Sequence, residues 1–236
     1  MKVLLLAAGR GRRFGKRTAR LPKCLIPLGK GANLLSRYLD SFRKLDIRKI
    51  VIVVGHEKKK IMAECARKGR GLDIRFIANR RYRLGSIVSL ASAAPEMNDD
   101  CLIMDADVFF SSSALKSLLR ARKSSFLLDP RSKSSGEEMM LMSKDSRPVK
   151  ISKKTDPSLK VLGEATGFFL VKKKDARRLA GILRRMVRAG KTKVEYEGSY
   201  CELMKKSRVG YVKIKSFWTE MDLEGDLKTI RGRLKS

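Results

Sequence analysis

A run of apolar residues, Val3-Leu4-Leu5-Leu6-Ala7, leads without a break into Ala8-Gly9-Arg10-Gly11-Arg12-Arg13-Phe14-Gly15, and Leu21-Pro22-Lys23 follows soon after. A buried strand that ends in small residues presents free backbone N–H groups at its tip, where they can approach phosphate oxygens. Arg13 and Lys23 bring full charge to the same place. The combination points to a loop that holds a nucleoside triphosphate. It is not a Walker loop, which needs Gly-Lys followed by Ser or Thr, nor a complete G-x-G-x-x-G fingerprint, because position 14 is Phe.

The rest of the first half repeats the strand-then-helix rhythm. Strands are predicted at 2–6, 49–55, 73–79 and 101–107, and helices at 33–45, 57–68, 86–94 and from the serines at 111–113 through 122. Leu34, Leu35, Tyr38, Leu39, Phe42 and Leu45 fall on one face of the first of these helices. Such alternation implies an α/β fold: a doubly wound, mostly parallel, Rossmann-like sheet covered on both faces, with ligands at the carboxyl ends of its strands. From about residue 125 the pattern changes. Short strands at 126–129, 138–143 and 149–153, separated by turn-rich segments, suggest small antiparallel additions. A strand at 167–171, helices at 175–189 and 196–206, a strand at 209–217 and a helix at 223–234 complete the reading. No internal repeat or long linker divides the chain, so a single domain over 1–236 is expected, with its core at about 1–125 and acceptor-side additions at about 126–236.

Composition narrows the class further. Four scattered cysteines without a C-x-x-C pair, and one histidine, His56, leave no zinc finger or Ser-His-Asp set to build. Reduced thiols in a cytoplasmic enzyme fit this usage, and no apolar run approaches the roughly 20 residues of a membrane span. The formal net charge of +31 raises nucleic acid or an anionic membrane surface as partners. The basic residues are spread along the whole chain and aromatics for base stacking are few, so no specific nucleic-acid partner is expected, while association with an anionic surface stays open.

Two acidic motifs stand out against this background. In Ile103-Met104-Asp105-Ala106-Asp107 the two carboxylates are two residues apart on a strand and face the same way, so both could reach a cation at its end. Magnesium favours one or two carboxylates together with substrate phosphates. Alternatively, these acids cap the helix that begins near Ser111. Far along the chain, Trp218-Thr219-Glu220-Met221-Asp222 carries a second pair, which either completes the cation site or lies at a helix start where the dipole favours it. Between them, Asn79-Arg80-Arg81-Tyr82-Arg83-Leu84-Gly85-Ser86 opens a helix. Gly85 permits close backbone approach, and Ser86 with the helix N-terminus can donate to a base or ribose, or simply cap the helix.

Strand, Ala-Ala-Gly, G-x-G-x-R and Pro-Lys together resemble the signature of the nucleotidyltransferases that join a nucleoside monophosphate to a phosphorylated sugar or small alcohol. The resemblance runs from residue 2 to about 226. It implies that Leu6, Ala7, Ala8, Gly9, Gly11, Asn79, Gly85, Ser86 and Asp105 bind nucleotide, and that Arg13 and Lys23 are catalytic. It further implies that Asp107 binds Mg²⁺, the expected cofactor, with Glu220 and Asp222 completing the site. Gly163-Glu164-Ala165-Thr166-Gly167 resembles the family's acceptor strand, with Glu164 the candidate for substrate hydroxyls. Tyr200, Glu202 and Trp218 form a far wall or are ordinary core residues. The sugar-nucleotide branch has W-x-D-x-G-T-P where this chain has W-x-E-x-D, which is closer to cytidylyltransferases for inositol phosphate or phosphocholine. CTP and a phosphorylated small-molecule acceptor are therefore the expected partners, with sugar 1-phosphates as the alternative.

Overall fold

The computed structural model of the chain describes residues 1–235. Its N-terminal half alternates strand and helix as β1 (Lys2–Ala7), α1 (Lys16–Ala19), α2 (Leu34–Lys44), β2 (Lys49–Val54), α3 (Lys58–Lys68), β3 (Asp73–Ala78), α4 (Ser86–Ser92) and β4 (Cys101–Asp105). There follow β5 (Val108–Phe109), α5 (Ser112–Leu119), β6 (Ser125–Asp129), β7 (Met140–Lys144), β8 (Arg147–Ser152) and β9 (Lys160–Val171). The chain ends with α6 (Lys173–Arg188), α7 (Glu197–Met204), β10 (Gly210–Lys213), β11 (Thr219–Glu220) and α8 (Glu224–Arg233).

The main sheet has the path β10-β6-β9-β4-β1-β2-β3, with β7 and β8 attached beside β9. β1 pairs in parallel with both β2 and β4, and β2 with β3. β9 runs antiparallel to β4, β6 and β7. This is the doubly wound α/β fold with small antiparallel additions. Period-2 alternation sends Val3 and Leu5 into one apolar layer and Leu4 into the other, all fully buried, which is why β1 reads as an unbroken apolar run. α2, α5 and α8 cover one face, and α4, α6 and α7 the other. Asn33 sets the start of α2 by a reciprocal cap: its Oδ1 accepts from Ser36 N at 2.8 Å and its own N–H donates to Ser36 Oγ at 3.0 Å.

The predicted strand at 167–171 is the end of the longer β9. Gly163 at φ 141° and Gly167 at φ 76° sit where the pairing register shifts, as bulges within one strand. The strand predicted at 101–107 stops at Asp105, and that predicted at 209–217 shortens to Gly210–Lys213. All four cysteines are free, and among the described residues no helix is long and apolar enough to cross a membrane.

Candidate active site

Strand order reverses direction at β1, whose neighbours β2 and β4 belong to opposite halves of the winding; the crevice at such a point is where α/β sheets take ligands. The loop after β1 and the turn after β4 both open there. The loop is anchored from behind: Ala8 O accepts from His56 N at 3.2 Å, and the His56 ring lies 2.9 Å from Thr18 O. Gly11 takes φ 59°, and its carbonyl accepts from Phe14 N and from the Thr18 hydroxyl at 2.7 Å, which closes the turn and leaves the strand tip free.

A cavity of about 410 Å³ fills the crevice. Leu6, Ala7, Ala8, Gly9 and Gly11 form one wall, Ser86 and Ser89 another, and Asp105, Ala106 and Asp107 the floor. Arg13, Lys23, Glu164 and Glu220 line it as well. A second cavity of about 330 Å³ adjoins it, sharing Glu137, Glu164 and Glu220 and adding Asp129, Glu138, Asp222, Asp226 and Trp218. The indole N–H of Trp218 donates to Asp129 Oδ2 at 2.7 Å.

The charged groups are tightly arranged. Lys23 Nζ donates to Asp107 Oδ2 at 2.7 Å and to Asp222 Oδ1 at 2.5 Å, and Arg13 donates to Asp222 as well. Burial works against the Lys23 charge, but Asp107 and Asp222 outweigh it and hold the ammonium above its ordinary value. Burial likewise opposes ionisation of Asp222, yet Lys23 and Arg13 bring its carboxyl below the usual range. Glu220 faces the cavity, but the surrounding walls, followed by the charges of Asp107 and Asp222, push its carboxyl up to about 8. Asp105 is different in kind. Its carboxylate accepts from the Tyr196 hydroxyl, and burial, reinforced by Asp107, raises it well above the ordinary range. Asp105 and Asp107 thus engage different partners although they are two residues apart.

Asp107, Glu220 and Asp222 are therefore brought to one cleft, though among the described residues no three ligand-type side chains are gathered as a metal shell. The lysine ammonium lies between Asp107 and Asp222 instead. An all-oxygen donor set already holding a cation suits a hard divalent ion such as magnesium.

Several predicted site residues have other work. Asn79 is buried and bonds Ser89 Oγ at 3.0 Å and Arg81 N at 2.9 Å, bracing the turn rather than lining the cavity. Gly85 does permit close backbone approach, but to protein: its N–H donates to Thr192 O at 2.7 Å, and a Cβ would strike the Val194 carbonyl. Ser86 lines the cavity without capping α4, for its Oγ accepts from Tyr196 N at 3.0 Å. Tyr200 is packed among Phe126, Phe169 and Tyr196, a core aromatic. Glu202 lines neither cavity and pairs with Lys205 at 2.6 Å on the surface of α7.

The residues missed from sequence are Glu137, Lys153, Glu195, Tyr196 and Glu197, which also line the cavity. Burial pushes the Glu197 carboxyl up to about 7, with Glu195 adding to the shift. For the last three the signal was the run Glu195-Tyr196-Glu197 in a chain otherwise dominated by lysine and arginine.

The family model for the MobA-like NTP transferase domain matches residues 3–174. The chain belongs to this family. The MobA-like match takes in the β1 loop, the β4 turn and β9, and so the nucleotide side of the crevice. Among similar proteins, the bifunctional protein GlmU of Cupriavidus metallidurans is 36% identical over 124 residues, covering 51% of this chain and 25% of GlmU. The choline-phosphate cytidylyltransferase of Haemophilus influenzae is 29% identical over 153 residues, covering 64% of this chain and 62% of that protein. The matched part is thus about a quarter of GlmU's own length. In fold, the chain is similar to the inositol-1-phosphate CTP transferase of T. maritima, with a TM-score of 0.79 at 19% identity, covering 100% and 96% of the two chains. It is also similar to a Bacillus anthracis protein described as a glucose-1-phosphate thymidylyltransferase, with a TM-score of 0.82 at 16% identity, covering 100% and 96%.

Proposed function

We infer that the protein transfers a nucleoside monophosphate from a nucleoside triphosphate to a phosphorylated small alcohol, releasing pyrophosphate. One observation carries the reading: Arg13, Lys23, Asp107, Glu220 and Asp222, from three distant segments, meet at the switch point of a MobA-like domain. CTP is the preferred nucleotide, and inositol 1-phosphate or phosphocholine the acceptor. The W-x-E-x-D run at 218–222 supports that choice, as do similar proteins named for cytidylyl transfer to such acceptors.

In this reading Ala7, Ala8 and Gly9 seat the base, aided by Ser86, and the loop N–H groups up to Gly11 bind phosphate oxygens. The acceptor's phosphate oxygen attacks the α-phosphorus in line, so no protein nucleophile is needed. Lys23 and Arg13 exchange their carboxylate partners for the phosphates and stabilise charge as pyrophosphate leaves. Asp107, Glu220 and Asp222 would hold magnesium, which when bound supplies charge neutralisation and alignment of the reacting phosphates. Glu164 and Trp218, in the acidic second cavity, receive the acceptor's hydroxyls or cationic head.

A second reading, transfer to a sugar 1-phosphate, is favoured by similarity to the UTP–glucose-1-phosphate uridylyltransferase AglF of Haloferax volcanii, 28% identical over 113 residues, and the missing W-x-D-x-G-T-P run counts against it. A matrix of nucleoside triphosphates against phosphorylated acceptors, read as pyrophosphate release, tests both. Release confined to CTP with inositol 1-phosphate or phosphocholine supports the first, release with a sugar 1-phosphate supports the second, and release with no pair removes the assignment.

A further inference from the structure

The turn that carries Asp107 is tied to a residue on the far side of the sheet. Tyr38, on α2, is 1% exposed, and its ring stacks on Phe42 and on Phe110 at centroid distances of 6.3 and 5.3 Å. Its hydroxyl reaches through to the four residues 105–108. Val108 N–H donates to Tyr38 Oη at 3.0 Å, while the same oxygen lies 2.5 Å from Val108 O and 2.9 Å from Asp105 O, so the phenol proton is shared between two carbonyls. The phenol stands where a direct hydrogen bond between residues 105 and 108 would otherwise close the turn.

The consequence extends past Asp107. Val108 begins β5, which pairs antiparallel with β11 in the register Val108 to Glu220, and Met221 N donates to Asp107 O at 2.8 Å. The backbone segments bearing the two acidic arms of the cleft, Asp107 and Glu220, are thus joined to each other and anchored together on one buried hydroxyl. A group needed only to fill the apolar layer could be Phe or Leu. A hydroxyl in this layer is costly unless bonded, and here every bond it makes goes to the turn.

We propose that Tyr38 is a positioning residue for the transfer reaction, holding Asp107 and, through the β5–β11 pair, Glu220 at the separation from which they act on the metal–nucleotide complex. The inference rests on the proposed function. Tyr38 touches no substrate; it acts through the turn.

The test compares Tyr38→Phe, which keeps the ring and removes the hydroxyl, with Phe42→Leu, which loosens the same aromatic stack without touching the turn. Mn²⁺–CTP binding, followed by the electron paramagnetic resonance of the bound ion, is read beside turnover, acceptor KM and amide hydrogen exchange. Tyr38→Phe should weaken Mn²⁺–CTP binding and lower kcat, each by about tenfold, while acceptor KM stays within about twofold of wild type. The Val108 amide should exchange faster. Phe42→Leu should lower the melting temperature and leave Mn²⁺–CTP binding as in wild type. The inference is overturned if Tyr38→Phe binds and turns over like wild type, or if Phe42→Leu weakens Mn²⁺–CTP binding equally, since packing alone then explains the effect. Absence of Mn²⁺–CTP binding and turnover in the wild type is a separate result, and it removes the proposed function itself.

Discussion

Lys23 Nζ lies 2.7 Å from Asp107 Oδ2 across 84 residues of sequence, joining the loop that follows β1 to the turn that follows β4. The contact places the cation of one motif on the anion of the other, and Asp222 completes the set from the far end of the chain. Lys23 is therefore paired within the protein to a carboxylate from each of the two acidic motifs. In the proposed reaction Lys23 would exchange a carboxylate for a phosphate, and Asp107 would be freed to hold a cation.

Removing Lys23 should separate catalysis from stability. Lys23→Ala is expected to cut turnover by about 10²–10³-fold, the loss typical of one preorganised donor to developing charge. It should also cost about 1–2 kcal/mol at pH 7, because the carboxylates of Asp107 and Asp222 lose their cation in a partly buried place. The folded-state value of Asp222 lies below the ordinary one, so its contribution is present above the usual carboxylate range and vanishes as pH falls through the folded value. The stability gap between variant and wild type, measured by denaturant titration, should accordingly be open at pH 7 and narrow as pH falls below the usual carboxylate range. A pH-independent gap would assign it to packing instead.

Glu197 carries the opposite sign. Burial holds its carboxyl at about 7, above the ordinary value, so the folded state keeps a proton that the unfolded chain releases. Its contribution is full below the unfolded value of about 4.3 and is lost as pH rises through the folded one. Glu197→Gln should therefore flatten the stability profile between pH 5 and 8 and raise stability at pH 8 by about 2 kcal/mol, allowing for solvent entering from the cavity. Parallel profiles for the two proteins would mean that Glu197 ionises freely.

Gly85→Ala probes how the cavity wall is assembled. The new methyl group would meet the Val194 carbonyl and neighbouring backbone, which cannot rotate away as a side chain can. The displaced segment bears Glu195, Tyr196 and Glu197, and with them the phenol on Asp105. A loss of about 1–3 kcal/mol in stability is expected, together with weaker nucleotide binding by calorimetry. Unchanged nucleotide affinity in a destabilised variant would show that this wall does not contribute to the nucleotide site.

The wall of the cavity built from the β1 loop and the β4 turn was legible because local chemistry dictates it. An apolar strand, a left-handed glycine at 11 and a carboxylate turn at 105–107 are contiguous in sequence, and the parallel sheet brings them together by topology alone. The other side is made by distant backbone meeting backbone. Asn79 and Gly85 lie next to the site in sequence, yet their side-chain and steric demands are met by Ser89 and by the loop at 192–194. Tyr200, three residues past the cavity-lining Glu197, stays on the inward face of α7 but one turn deeper, among core aromatics, whereas Glu202, five residues past it, is rotated to the surface. Tyr38 could be placed on the buried face of α2 from periodicity, but nothing in the spacing shows that its hydroxyl crosses to the β4 turn.

Glu202 offers a control for that geometry. Its ion pair with Lys205 is a surface i,i+3 contact, of a kind worth well under about 1 kcal/mol. Glu202→Gln should leave kcat, acceptor KM and melting temperature within error of wild type, whereas Trp218→Phe, which frees Asp129 of its indole donor, should raise acceptor KM several-fold. A large acceptor effect from Glu202→Gln would require the α7 surface to be part of the acceptor site.

The charge of the chain is unevenly placed, and this bears on what it binds. Of the 24 acidic residues, eleven line the two cavities, against three of the 55 basic ones among the described side chains, so the surface outside the cleft is overwhelmingly positive. Such a surface attracts any polyanion, but it neutralises phosphates one by one and releases their counterions. Affinity for DNA or RNA should then fall by about 10³-fold or more between 50 and 200 mM salt if six or more phosphates are contacted. A nucleoside triphosphate in the crevice meets a few directed donors and a cation, and its magnesium-dependent affinity should change by less than about tenfold over the same range. Fluorescence anisotropy with labelled single-stranded RNA and with a labelled nucleotide gives both slopes on one instrument. Sequence-selective RNA binding that persists at 200 mM salt, with no nucleotide binding, would make the basic surface the functional one and the cleft a remnant.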